Sequence, residues 1–127
     1  MPDRPTLLVV DAANVVGSVP DGWWRDRAGA TERLRDALVR VAEAGLPTVD
    51  PPVEVVLVVE GKARDVVSVP GVRVVPAPSS GDDAIVDLLV AEGGEGRASI
   101  VVTADRALKG RVVDLGARTL GPSALRD

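Results

Sequence analysis

Thr6-Leu7-Leu8-Val9-Val10-Asp11 is the stretch on which the reading of this chain turns. Its apolar residues run on without alternating with polar ones, so the strand they form is buried on both faces. That is how a central strand of a parallel sheet reads, and Asp11 marks its exit. The pattern returns at Val53–Val59, ending at Glu60-Gly61, and in shorter form at Val72-Arg73-Val74-Val75, between Gly71 and Pro76. A fourth run is Ala98–Val102, and Ala117–Leu120 is the last before Gly121-Pro122.

Helical patterns fill the gaps. A loop from Gly17 to Gly22 leads into Trp23 to Gly45, where Ala30, Leu34, Ala37, Leu38, Val41 and Ala42 recur at three- and four-residue spacing. The spacing predicts an amphipathic helix closed by Gly45 and Pro47. Ser79-Ser80-Gly81-Asp82-Asp83 predicts a helix start, with Ile85, Leu88 and Leu89 on one face and a stop at Gly93-Gly94. A short helix is expected from Asp105 to Leu115. Strands alternating with helices point to one doubly wound α/β domain over residues 1–127, with a parallel sheet of about five strands and right-handed crossovers.

Composition narrows the chemistry. The 127 residues carry a formal net charge of −4 and contain neither cysteine nor histidine. That excludes disulfides, thiol nucleophiles, Cys- or His-ligated metals and any imidazole base. Apolar residues make up 46% of the chain, and with no Phe or Tyr the core must be Val, Leu, Ile and Ala. No run approaches the ~18 apolar residues of a membrane span, and the polar lead before Thr6 lacks a signal-peptide pattern. The expectation is a cytoplasmic protein with no membrane partner.

In open α/β sheets the site lies beyond the carboxyl ends of the strands. Each of the four major strand exits supplies an acid: Asp11, with Asn14 three residues on; Glu60; Asp82 and Asp83; and Asp105, with Thr103 before it. Carboxylates gathered at one edge repel one another, and a divalent cation relieves the repulsion. Oxygen-only ligands favour Mg²⁺ or Mn²⁺, whose bound water can attack a phosphodiester without histidine. Helix capping competes with this reading at Asp82, Asp83 and Asp105. Asp11 and Glu60 discriminate better, because neither is expected to have a helix directly after it to cap. Asp36, Glu43, Asp87 and Asp114 are expected to be solvated helix-surface residues.

A local basic rim would serve phosphate binding despite the acidic balance. Lys62 and Arg64 follow Glu60, while Arg106, Lys109 and Arg111 follow Asp105, with Thr103 an expected substrate contact beside them. Arg33, Arg35 and Arg40 are expected to pair with acids on their own helix. Trp23 and Trp24, the only aromatics, suit either a stacking platform for an unpaired base or a pin between helix and sheet.

Leu7-Leu8-Val9-Val10-Asp11-Ala12-Ala13-Asn14-Val15-Val16-Gly17 resembles the D-G-x-N-V-(I/V)-G opening of NYN domains in the PIN-like nuclease superfamily, the YacP-like branch being nearest. Leu57-Val58-Val59-Glu60-Gly61, Gly81-Asp82-Asp83-Ala84-Ile85 and Val101-Val102-Thr103-Ala104-Asp105 follow in the family's order. The resemblance implies strand order 3-2-1-4-5 and Mg²⁺- or Mn²⁺-dependent cleavage of RNA. It implies metal ligation by Asp11, Asp82 or Asp83, and Asp105, with Asn14 positioning a loop or a ligand water. Ala12 replaces the family's glycine, and Glu60 stands where Asp is commoner and would ligate through water. The chain ends soon after its fifth strand, so a substrate wall is expected to be absent or to come from a second subunit in a homodimer.

Two alternatives stay open. One keeps the metal and takes a nucleotide or other small phosphate; the other is a non-catalytic RNA- or protein-binding module with a degenerate site. A receiver-like signalling domain would need a lysine at the end of the last strand, and Ala117–Gly121 has none.

Overall fold

A computed structural model describes residues 4–94 and 96–125. The first three residues of the polar lead and the last two of the 1–127 span lie outside the described residues.

The apolar runs form the strands expected of them: β1 Thr6–Asp11, β2 Val53–Val59, β3 Val72–Pro76, β4 Ser99–Val102 and β5 Arg118–Leu120. All pair in parallel, in the order β3-β2-β1-β4-β5. β1 is central, with Asp11 opposite Val58 of β2 and Val10 opposite Val102 of β4. The chain moves from β1 to β3 on one side and then crosses back to β4, so the topological switch lies between β1 and β4. Side chains beyond these two strand ends face a shared crevice.

Four α-helices cover the sheet: α1 Ala12–Gly17, α2 Arg27–Ala44, α3 Gly81–Glu92 and α4 Arg106–Val113. Alternation along β1 divides the core into two layers. Leu8 and Val10 join Leu38 of α2 and Ala12 and Val15 of α1. Leu7 and Val9 join Ile85, Leu88 and Leu89 of α3 and Leu108 and Val112 of α4 on the opposite face. Aliphatic side chains thus fill both layers, which is why the chain manages without Phe or Tyr. Among the described residues no helix is long and apolar enough to cross a membrane.

Two local departures matter for the site. Ahead of the loop expected from Gly17 to Gly22, Asp11 is followed directly by a short helix, α1, tucked against the end of the first strand. The helix expected from Trp23 starts at Arg27, because Asp26 caps it: its Oδ1 accepts the Gly29 N–H at 2.9 Å. Trp23–Arg25 forms a separate 3₁₀ turn ahead of it.

Candidate functional site

Asp11 ends β1 and is 6% exposed. Its Oδ2 accepts a hydrogen bond from Thr103 Oγ1 at 2.9 Å. The Thr103 oxygen in turn accepts the Asp105 N–H at 3.1 Å, and Asp105 Oδ1 accepts the Leu108 N–H at 3.1 Å to cap α4. Asn14, on α1, accepts the Ala104 N–H at 2.7 Å. Two side chains from the first strand and its helix therefore hold the loop after β4. The family-like Asp-x-x-Asn spacing has a physical meaning here: one turn of helix aims both residues at the same loop.

Glu60 approaches from β2. Its Oε2 accepts the backbone N–H of Gly81 at the start of α3. A Cβ at Gly81 would lie 2.9 Å from that oxygen, so a larger residue there would push the Glu60 carboxylate aside. Ser80, not an aspartate, caps α3, its Oγ accepting the Asp83 N–H at 3.2 Å. Asp82 and Asp83 sit in the first turn and diverge. Asp83 is exposed and pairs with Arg111 at 3.1 Å, whereas Asp82 is half-buried and feels Asp105 and Glu60.

The electrostatics reflect this crowding. Burial pushes the Asp11 carboxyl above its ordinary range, and the charges of Asp82 and Glu60 add to it; Thr103 and the Asn14 backbone N–H pull the other way. Asp82 is raised as well, first by burial, then by Asp105 and Glu60, against a lowering from Arg111. Five carboxylates, Asp83 included, thus share one field with Arg111 as the opposing charge. Their donor set is all oxygen and fits a hard divalent cation. It is not a closed cage: among the described residues no group of three or more carboxylates is drawn together tightly enough to hold an ion as it stands.

Several expectations need correction. Thr103 is not a surface contact for substrate; it is 0% exposed and fixes Asp11 and the Asp105 backbone. Asp11 and Glu60 do have helical turns directly after them, α1 and a 3₁₀ turn at Gly61–Ala63. Glu60 does not cap its turn, so capping does not account for it; Asp11 stands at the N-cap of α1, where the Asn14 N–H lowers its carboxyl while Thr103 holds one of its oxygens. Asp83 is turned to Arg111, which takes both out of the free inventory. Lys62, Arg64 and Arg106 are exposed, Lys109 is half-buried, and none makes an ion pair among the described residues.

Sequence reasoning missed a cavity of about 340 Å³ beside Glu60, walled by α1, Trp23, Arg27 and the turn after β2. Arg27 carries its guanidinium 5.3 Å over the Trp23 ring. The two tryptophans differ: Trp23 lines the cavity, while Trp24 meets it edge-on at 6.0 Å and is 56% exposed. The available signal was the pair of small residues Ala12-Ala13, which leaves space next to a bulky ring.

No protein-family model matches the sequence, and no curated protein matches it either. The structure aligns with solved structures of Rae1 (YacP) from Bacillus subtilis. One alignment has a TM-score of 0.78 at 17% identity, covering 94% of this chain and 70% of the other. The second, to a tryptophan-to-leucine mutant of Rae1, has a TM-score of 0.73 at 18% identity, covering 94% and 72%. At that identity the likeness is one of fold. The chain has the fold of Rae1 (YacP), the YacP-like architecture that the motifs from Asp11 to Asp105 resemble.

Proposed function

We propose that this protein is a divalent-metal-dependent endoribonuclease. The observation that carries the reading is the edge at which Asp11, Glu60, Asp82 and Asp105 arrive from four different elements, with Asp11 raised by burial and by Asp82 and Glu60, and Asp82 raised by burial and by Asp105 and Glu60. Uncompensated like charge at the switch point of a parallel sheet is unfavourable for folding and favours a site for a cation. The NYN-like motif order and the shared fold agree with it.

Asp11, Asp82 and Asp105 would hold Mg²⁺ or Mn²⁺, with Glu60 reaching it through water. Such an ion supplies Lewis acidity at the scissile phosphate and a water acidic enough to attack at neutral pH. The remaining work falls to the chain itself. Thr103 fixes one oxygen of Asp11 and leaves the other for the ion or for a water. Asn14 holds the loop that carries Asp105. Lys62, Arg64, Arg106 and Lys109 would meet the RNA backbone around the acidic centre, which makes affinity fall with salt.

The test is cleavage of single-stranded and structured RNA with Mg²⁺ or Mn²⁺, beside Asp11→Asn and Asp105→Asn. Metal-dependent cleavage by the wild type, lost in both variants, supports the proposal. Equal behaviour of all three under every metal overturns it. The open arrangement of the carboxylates favours a second reading, a binding module without turnover. Tight RNA binding with no cleavage in either metal would select it.

A further inference from the structure

We infer that the cavity beside Glu60 is a base-binding subsite, which takes one unpaired nucleotide of the RNA strand and sets its phosphate against the carboxylate edge. The inference rests on the ribonuclease reading and adds where the strand is gripped.

The cavity, about 340 Å³, is at the small end of the ~300–1,000 Å³ typical of ligand sites, suited to one nucleotide and too small for a duplex. Its floor is Ala12, Ala13 and Val16 of α1, an apolar surface that matches the face of a base. Its wall holds Trp23 and Arg27, an indole and a guanidinium, the two planar groups on which unpaired bases stack. Arg27 forms no ion pair among the described residues, and its Nη1 lies 4.0 Å from where a side chain would begin at Gly61. Its charge therefore stands across the cavity, free to meet a phosphate. Gly61 adopts a positive φ of 60°, which keeps a side chain out of that gap without strain.

Position ties the cavity to the chemistry. Glu60 belongs both to its wall and to the acidic cluster, and Ala12 directly follows Asp11. A base lodged against Trp23 thus leaves its own phosphate within one nucleotide of the carboxylates. Trp24 plays no part, being turned to solvent with Arg25 5.9 Å from its ring.

The experiment reads binding apart from turnover. A labelled, unstructured RNA oligonucleotide is titrated against the full chain in chelator, by anisotropy, and its cleavage is measured separately in Mg²⁺. Trp23→Ala is expected to weaken binding about tenfold, the size of one lost base stack. Trp23→Phe should recover most of the loss and Trp24→Ala should bind within about twofold of wild type. Trp23 also packs near Gly17, so Ala13→Leu serves as a second probe: it lies on an exposed helical position, lines the same cavity and leaves the indole in place. It should keep the wild-type melting temperature and lose about tenfold in affinity. An oligonucleotide made abasic at the nucleotide beside the cut should bind wild type and Ala13→Leu alike.

Wild-type affinity in both Trp23→Ala and Ala13→Leu overturns the subsite, as does an equal loss in Trp24→Ala. A mononucleotide that binds as tightly as the oligonucleotide, with the same dependence on Trp23 and Ala13, overturns the assignment to a strand. Trp23-dependent binding without cleavage in any metal keeps the subsite and removes the ribonuclease. Cleavage indifferent to both variants does the reverse.

Discussion

The two ends of the sheet handle charge in opposite ways. At the end where the strands begin, Glu54 and Glu92 each have a basic partner. Arg97, whose side chain is 2% exposed, places Nη2 2.5 Å from Glu54 Oε1 and donates to the carbonyl oxygens of Pro5 and Glu92, each at 3.0 Å. Arg73 reaches Glu92 at 2.5 Å and Glu54 at 3.8 Å. At the other end, where the strands finish, Asp11, Glu60, Asp82 and Asp105 gather, and Asp11 and Asp82 are pushed upward, first by burial and then by neighbouring carboxylates. The same sheet can match its charges, and at one edge it does not. Paired charges hold the fold together; unmatched like charges mark the place prepared for something else.

The contrast can be broken from either side. At the paired end Arg97→Ala would leave Glu54 short of its closest partner, take a donor from the Pro5 and Glu92 carbonyls and remove a buried side chain, and should lower stability by about 1–3 kcal/mol; chemical denaturation measures it. At the unpaired end Asp11→Asn keeps the shape but removes a charge from the cluster. It should reduce RNA cleavage about 100- to 1,000-fold, equivalent to ~3–4 kcal/mol in the barrier, without a comparable loss of stability. If Asp11→Asn unfolds the protein as readily as Arg97→Ala, the two ends are alike and the distinction fails.

Thr103→Val sharpens the comparison. It leaves one oxygen of a buried carboxylate unsatisfied, with an expected loss of about 1–3 kcal/mol. Thr103 also pulls the Asp11 carboxyl downward, so its removal should shift the acidic limb of the pH–rate profile to higher pH. The smallest effect concerns Asp82. In the folded state Asp11 and Asp82 bind protons more tightly than in the unfolded chain. Stability therefore falls as pH rises from the ordinary carboxyl value of 3.8 toward the raised ones, and stays lower above them. Asp82→Asn removes part of that loss. Without metal it should melt slightly higher than wild type at neutral pH, by a few degrees at most, with the gap closing toward pH 3.8.

Much of this could be read from the residues, for a physical reason. Continuous Val and Leu runs with abrupt polar exits identify buried parallel strands, and β2 falls on Val53–Val59 as expected. The acids at those exits were legible too, because a parallel sheet delivers every strand end to one edge. Short or long-range features were not. Ala12–Gly17 is too brief to show helical periodicity, and its Val15-Val16 pair is β-branched, so it reads as loop. The divergence of Asp82 from Asp83 depends on Arg111, 28 residues beyond Asp83. The Arg97–Glu54 pair spans 43 residues and Arg73–Glu92 spans 19, with no periodicity to announce either. Thr103 reads as a substrate contact because nothing in Val-Val-Thr-Ala-Asp says that its hydroxyl is taken by Asp11.

The central claim, that the like-charged edge is a cation site, is tested most directly by melting the protein at neutral pH across a Mn²⁺ titration, with Asp82→Asn alongside. A cation that binds only the folded state raises the melting temperature with the logarithm of one plus its concentration over its dissociation constant. The wild type should rise steadily with the logarithm of Mn²⁺ concentration once past the dissociation constant, and Asp82→Asn much less, so that the variant starts higher and ends lower. A wild-type melting temperature unmoved at millimolar Mn²⁺, or a rise identical in the two proteins, would contradict it.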